Sequence, residues 1–129
     1  MESVSAAARR GSMDRRDGSV DFSIASETVD LLKEIGAFIE EEVFPIEPRI
    51  GTEAFTSLLP DLTSLRGLVR QKGWWLPQVP REHGGMGLSF MQQAMVSEVL
   101  ARSPLGHFVF NAQAPDAGNM EVLLHFGST

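Results

Sequence analysis

The chain has 129 residues, 43% of them hydrophobic, a formal net charge of −6 and no cysteine. That length suits one domain able to hide roughly two-thirds of its unfolded surface. The acidic balance repels nucleic acid and anionic membranes, the missing cysteines exclude disulfides and thiolate chemistry, and no apolar run approaches the roughly 18 residues of a membrane span.

The opening stretch, MESVSAAARRGSMDRRDGSV, is small, polar and charged, and lacks the apolar segment of a secretion signal. Its alanines, serines and arginines point weakly to an organelle transit peptide, against which Glu2, Asp14 and Asp17 argue. So little apolar surface cannot offset the entropy of ordering it. Residues 1–23 are therefore expected as a flexible leader and residues 24–129 as the domain.

From Ser26 the period is helical. Leu32, Ile35, Ile39 and Val43 recur at three- and four-residue steps, with Leu31 and Phe38 widening the stripe. Ser26 is the expected N-cap, Glu27 and Asp30 favour the positive end of the helix dipole, and Pro45 forbids continuation. Glu40, Glu41 and Glu42 lie at the wrong end of that dipole, at a cost of a few tenths of a kcal/mol each. They read as a solvated acidic face rather than a cation site. FPIEPRIGTEAF is a connector punctuated by Pro45, Pro48 and Gly51. A second helix is expected to open at Pro60, with Leu62, Leu65, Leu68 and Val69 as its buried stripe. Arg66, Arg70 and Lys72 gather at its C-terminal end, and Gly73 supplies a left-handed cap.

The segment GWWLPQVPREHGGMGLS follows. Pro77 and Pro80 hold the backbone extended, Gly84, Gly85 and Gly87 allow a reversal, and Trp74 and Trp75 have area enough to pin its start. A phosphate cradle in HGGMGLS is disfavoured, because the Walker lysine and a preceding strand are both missing. His83 has only Arg81 and Glu82 as neighbours and shows no metal spacing with His107 or His125, so it reads as exposed. The composition describes a rigid crossover between helices. A third helix begins at Ser89, where Ser89 and Gln92 make an S-x-x-Q capping box. Phe90, Met91, Ala94, Met95, Val96, Val99 and Leu100 leave few positions for water, so it is expected to be central. HFVF suggests a short strand without a partner. Pro115 and Asp116 open a last helix, with Met120, Leu123 and Leu124 inside and Gly127 as its stop. No stretch sustains period-two alternation, so the fold is read as all-α, a bundle of about five helices.

Several motifs in one order resemble a known family. GWWLPQVPREHGGMGLSFMQQAMVSEVLARS is similar to the N-terminal helical domain of acyl-CoA dehydrogenases: a helix ending in G-W, a P-x-E-x-G-G-x-G-L-S segment, then a helix with S-E-x-L-A. Here these are Gly73-Trp74, Pro80 to Ser89, and Ser97 to Ala101. FNAQAPDAGNMEVLLHFGS resembles the branch with N-x-Q-A-P-D-x-G-N-M, and LLKEIGAFIEEEVFPIEP resembles the domain's first helix and its exit. The resemblance spans roughly Ile24 to Thr129.

The resemblance implies a flavoenzyme of three parts, of which this chain is the first. Members oxidise the α,β carbon–carbon bond of an acyl-CoA to the enoyl-CoA, a carboxylate taking the α-proton and FAD the β-hydride. In most members that base lies in the C-terminal bundle, and the flavin contacts lie largely outside the N-terminal domain. No catalytic residue is therefore carried over, and the chain is expected to be a fragment, inactive alone. The implied partners are an acyl-CoA substrate, electron-transferring flavoprotein or a similar acceptor, and further copies in a homo-oligomer. By position, Phe108, Val109, Asn111, Ala112 and Gln113 are the expected wall of the acyl pocket: apolar groups to grip an alkyl chain, Asn111 or Gln113 to meet a polar substituent. A superfamily member using oxygen as acceptor, or a stand-alone helical interaction module, are the alternatives. The cytoplasm is the expected location, with mitochondrion or peroxisome open for a eukaryotic source.

Overall fold

The structure, a computed structural model, describes residues 23–128. The leader expected over residues 1–23 lies, Ser23 apart, outside them. Five α-helices follow in order: α1 (Ser26–Phe38), α2 (Phe55–Gln71), α3 (Phe90–Leu100), α4 (Gly106–Phe110) and α5 (Asp116–Phe126). Among the described residues there is no strand, only an isolated bridge between Ile50 and Glu53. The all-α bundle is therefore the observed fold, and the HFVF segment is α4. None of the described helices is long and apolar enough to cross a membrane.

α1 buries Ile35 and Phe38 as its period requires, and Ile39 and Val43 continue the stripe beyond it. Ser26 is not its cap. Ala25 occupies that position without a side-chain bond, and Ser26 is the first helical residue. Pro45 does stop the α-helix, but the chain keeps coiling: a π-turn over Ile39–Val43 leads into a 3₁₀ segment, Phe44–Arg49. The Phe44 N–H reaches back to the Ile39 carbonyl, and Pro45 then sits in the first turn of the tighter segment, where its missing donor matters least. Glu40, Glu41 and Glu42 point outward, and Glu40 pairs with Arg102.

α2 opens at Phe55, not at Pro60, which lies inside the helix. Arg49 supports this early start. Its guanidinium donates to both Glu53 carboxylate oxygens, at 2.8 and 3.0 Å, to Asp61, and to the Ser57 carbonyl at 3.2 Å. The bonds from Arg49 to Glu53, then that from the Ser57 hydroxyl, hold the Glu53 carboxyl below its ordinary pKa. Leu58, absent from the expected stripe, is buried with Leu62, Leu65 and Val69, whereas Leu68 is exposed. The helix ends as foreseen. Gly73 takes φ +75°, its N–H reaches the Arg70 carbonyl, and the Trp74 N–H reaches that of Val69, each at 3.0 Å.

The crossover closes on itself. The amides of Gly84, Gly85, Met86 and Gly87 donate to the carbonyls of Arg81, Pro80, Leu76 and Val79. None is left for an anion, consistent with reading these glycines as shape. Trp74 is buried against Phe110, its ring stacked at 6.2 Å, with Phe38 edge-on to both at 5.9 Å. Such pairs each add about 1 kcal/mol beyond area burial. His83 is exposed as expected, and among the described residues no cluster of side chains suits a metal ion.

The Ser89–Gln92 capping box is present in both directions, at 3.3 and 2.9 Å, and Gln92 also donates to the buried Thr28 hydroxyl of α1 at 2.9 Å. α3 is nevertheless peripheral. Only Val96 and Leu100 are fully buried, while Phe90 is 86% exposed and Met91 63%. A helix packed along one side hides one face, and its all-round apolarity leaves the other face bare. α5 departs further from expectation: it starts at Asp116 and Gly127 caps it, but none of its residues is buried, Leu123 being 67% exposed.

Candidate functional site

The chain leaves α4 through Asn111, whose φ of +56° is left-handed, a conformation asparagine tolerates better than most residues. Two other elements hold it there. From α2, Arg66 Nη2 donates to Asn111 Oδ1 at 2.7 Å; from the crossover, Gln78 Nε2 donates to the Asn111 carbonyl at 3.1 Å. The Arg66 guanidinium lies over the rings of Trp75 and Phe108, at 4.9 and 4.7 Å from their centroids, and Arg70 approaches the Trp75 ring to 3.8 Å. Such contacts give about 0.5–2 kcal/mol each, more where water is excluded. Burial, and then the charge of Arg70, pull the pKa of Arg66 below its ordinary value.

Beside this anchored turn lies a groove of about 250 Å³. Pro77 and Gln78 line it from the crossover, Phe90, Gln93, Ala94, Val96, Ser97 and Leu100 from α3, and His107 and Ala112 from α4 and its exit. The polar groups are few. The Ser97 hydroxyl and His107 Nε2 are hydrogen-bonded at 2.8 Å, and burial holds the pKa of His107 below its ordinary value, so the ring is neutral at pH 7. A second concavity of about 430 Å³ shares Gln78, Phe90 and Gln93 and continues to Glu82, His83, Glu121 and His125.

Of the five residues expected to line a pocket, Ala112 lines this groove. Phe108 faces α2, edge-on to Phe55 at 5.4 Å and beneath Arg66. Val109 is wholly buried in the core. Asn111 has its amide oxygen committed to Arg66, and the half-buried Gln113 uses its carbonyl to start α5 by accepting from Ala117 at 2.9 Å. Gln78, Ser97 and His107 were not foreseen. Their contacts join separate elements, and no local spacing announces them.

Comparison with known proteins bears on the same segment. The acyl-CoA dehydrogenase N-terminal domain matches residues 25–129, which include α1 to α5 and the groove. The chain belongs to the acyl-CoA dehydrogenase family. It is similar to acyl-CoA dehydrogenase family member 10 of Mus musculus, 31% identical over 107 residues, covering 76% of this chain and 10% of that one. It is also similar to (R)-benzylsuccinyl-CoA dehydrogenase of Thauera aromatica, 32% identical over 121 residues, covering 84% and 29%. Among solved structures, a Mycobacterium abscessus protein assigned as an acyl-CoA dehydrogenase superposes with a TM-score of 0.71 at 32% identity, covering 84% of this chain and 30% of that one. The chain thus spans about a third or less of the length of these acyl-CoA dehydrogenase relatives.

Proposed function

We propose that this domain forms one wall of the acyl-binding cavity of an FAD-dependent acyl-CoA dehydrogenase, which converts an acyl-CoA to its enoyl-CoA by oxidising the α,β carbon–carbon bond. The observation that carries this is the coincidence of the family match with a mostly apolar groove at the α3–α4 junction, next to the segment expected to meet the acyl chain. In such an enzyme Ala112 and the groove face of α3 exclude water from the alkyl group, and Phe108 and Asn111 hold the wall's shape through Arg66.

Neither of these two concavities suits a flavin. The larger concavity presents Glu82 and Glu121, which would repel a pyrophosphate, and the smaller has no cationic side chain. In this reading FAD, which supplies the hydride acceptor when bound, and the carboxylate base are held by polypeptide outside this sequence. The same holds for the surfaces that would meet electron-transferring flavoprotein or further copies in a homo-oligomer. A cytoplasmic location accompanies this reading.

Purification of the chain tests the division of labour. It should emerge colourless and leave acyl-CoA unchanged; a bound flavin absorbance band would overturn the assignment of cofactor contacts. Reading the coding sequence past Thr129 separates the reading from that of a stand-alone module, which a stop codon there would favour.

A further inference from the structure

Arg66 and Arg70 are neighbouring cations without anions. They stand one turn apart on α2 and reach the same indole, Arg66 at 4.9 Å and Arg70 at 3.8 Å from the Trp75 centroid. In a chain of net charge −6, neither meets a carboxylate: the ion pairs among the described residues belong to Lys33, Arg49 and Arg102. Asp116 acts on Arg66 only from beyond ion-pair reach. The Arg66 Nε is sealed without an acceptor, so no guest touches it, and its Nη2 is spent on Asn111. The side chain of Arg70 is exposed and makes no hydrogen bond among the described residues.

This arrangement has a cost. Like charges four residues apart weaken a helix by a few tenths of a kcal/mol. The dipole of α2 favours cations in its last turn, which accounts for Arg70 and Lys72. It accounts neither for Arg66, a turn further in, nor for the convergence of two cations on one ring. The same flank of α2 carries apolar surface at steps of four and seven residues before them: Phe55 is 49% exposed and Leu59 36%. From Phe55 to Arg70 the flank runs about 22 Å, the span of a peptide segment rather than of a small anion. The chain's own opening stretch does not suit it, because Arg9, Arg10, Arg15 and Arg16 offset the carboxylates there.

We infer that this flank docks an acidic peptide segment of a partner protein. One carboxylate bonds to Arg70 in the field of Arg66, and an apolar side chain of the same segment rests on Phe55 and Leu59. Charge complementarity selects this partner, and the inference stands apart from the acyl-wall reading.

A synthetic peptide of repeated Glu-Glu-Leu, titrated into the ¹⁵N-labelled chain at low salt, tests it. Amides of α2 and Trp75 should shift, and binding should weaken as salt rises. Arg70→Gln should weaken it about fivefold, the worth of one well-placed exposed ion pair, and Arg70→Lys should restore most of that loss. Lys72→Gln removes the same charge two residues away, over the Trp74 ring instead, and should change the affinity less than about twofold. A Glu-Glu-Ser repeat should bind about threefold more weakly, having no apolar group to bury. No binding at about 1 mM peptide overturns the inference, as does equal loss in the Arg70→Gln and Lys72→Gln variants, which would mark diffuse attraction. Equal binding of the serine repeat removes Phe55 and Leu59 from the surface. A thymidine oligonucleotide of equal charge that binds as tightly as the peptide would overturn the choice of partner.

Discussion

Gly85 packs so closely on Val79 that a Cβ built there would lie 2.0 Å from the Val79 carbonyl oxygen. No side chain can yield to relieve it, because the obstacle is backbone. Gly85→Ala should therefore destabilise the chain by about 3 kcal/mol, at the upper end for overpacking, and an unchanged urea midpoint would contradict this contact. His107 gives a pH dependence. Burial lowers its pKa from the ordinary 6.5, so the unfolded chain takes up the proton first as pH falls. Its contribution to stability is full above about pH 6.5 and is lost as pH drops from there through its folded value. His107→Gln should flatten that decline; denaturation midpoints near neutrality and at mildly acidic pH provide the comparison. At this scale the sequence was informative where chemistry is local, as in the Ser89–Gln92 box and the Gly73 cap. It was silent on Gln78, whose partner lies 33 residues away.

The helices themselves were legible, their ends and faces less so. Periodicity located α1, α2, α3 and α5, but proline rules misplaced the start of α2: Pro60 is accommodated because Arg49 braces the turns before it. α5 was recognised as a helix and wrongly given an inner face. It has no buried residue, and its Met120, Leu123 and Leu124 line an open concavity with Leu76 and Val79. Local opening follows low burial. Amides of α5 should therefore exchange with solvent about tenfold faster or more than those of α2, whose Leu58, Leu62 and Val69 are sealed. Equal protection by hydrogen exchange would show that α5 is anchored more firmly than its burial implies.

For the molecule as a whole, the notable quantity is uncovered apolar surface. Phe90, Met91, Val122, Leu123 and Phe126 are each more than half exposed. Contiguous apolar patches commonly mark surfaces that meet another protein or domain. The chain should self-associate as concentration rises, and Leu123→Ser with Phe126→Ser should weaken this without loss of helicity; a clean monomer for the native chain throughout sedimentation would count against such a patch. The sequence by itself determined that the domain is helical, where most helices lie, how α2 ends and how α3 begins, and, through ordered motifs from Gly73 to Ala101, the family. Those features depend on residues within a few positions of one another or on motif order along the chain. Only the tertiary structure decided that α3 and α5 have bare faces, that Val109 is fully buried, and that Gln78, Ser97 and His107 share a groove. Burial and orphaned hydrogen bonds are set by whichever distant segment packs alongside, as when Arg66 meets Asn111 across 45 residues, and no period along the chain encodes that neighbour.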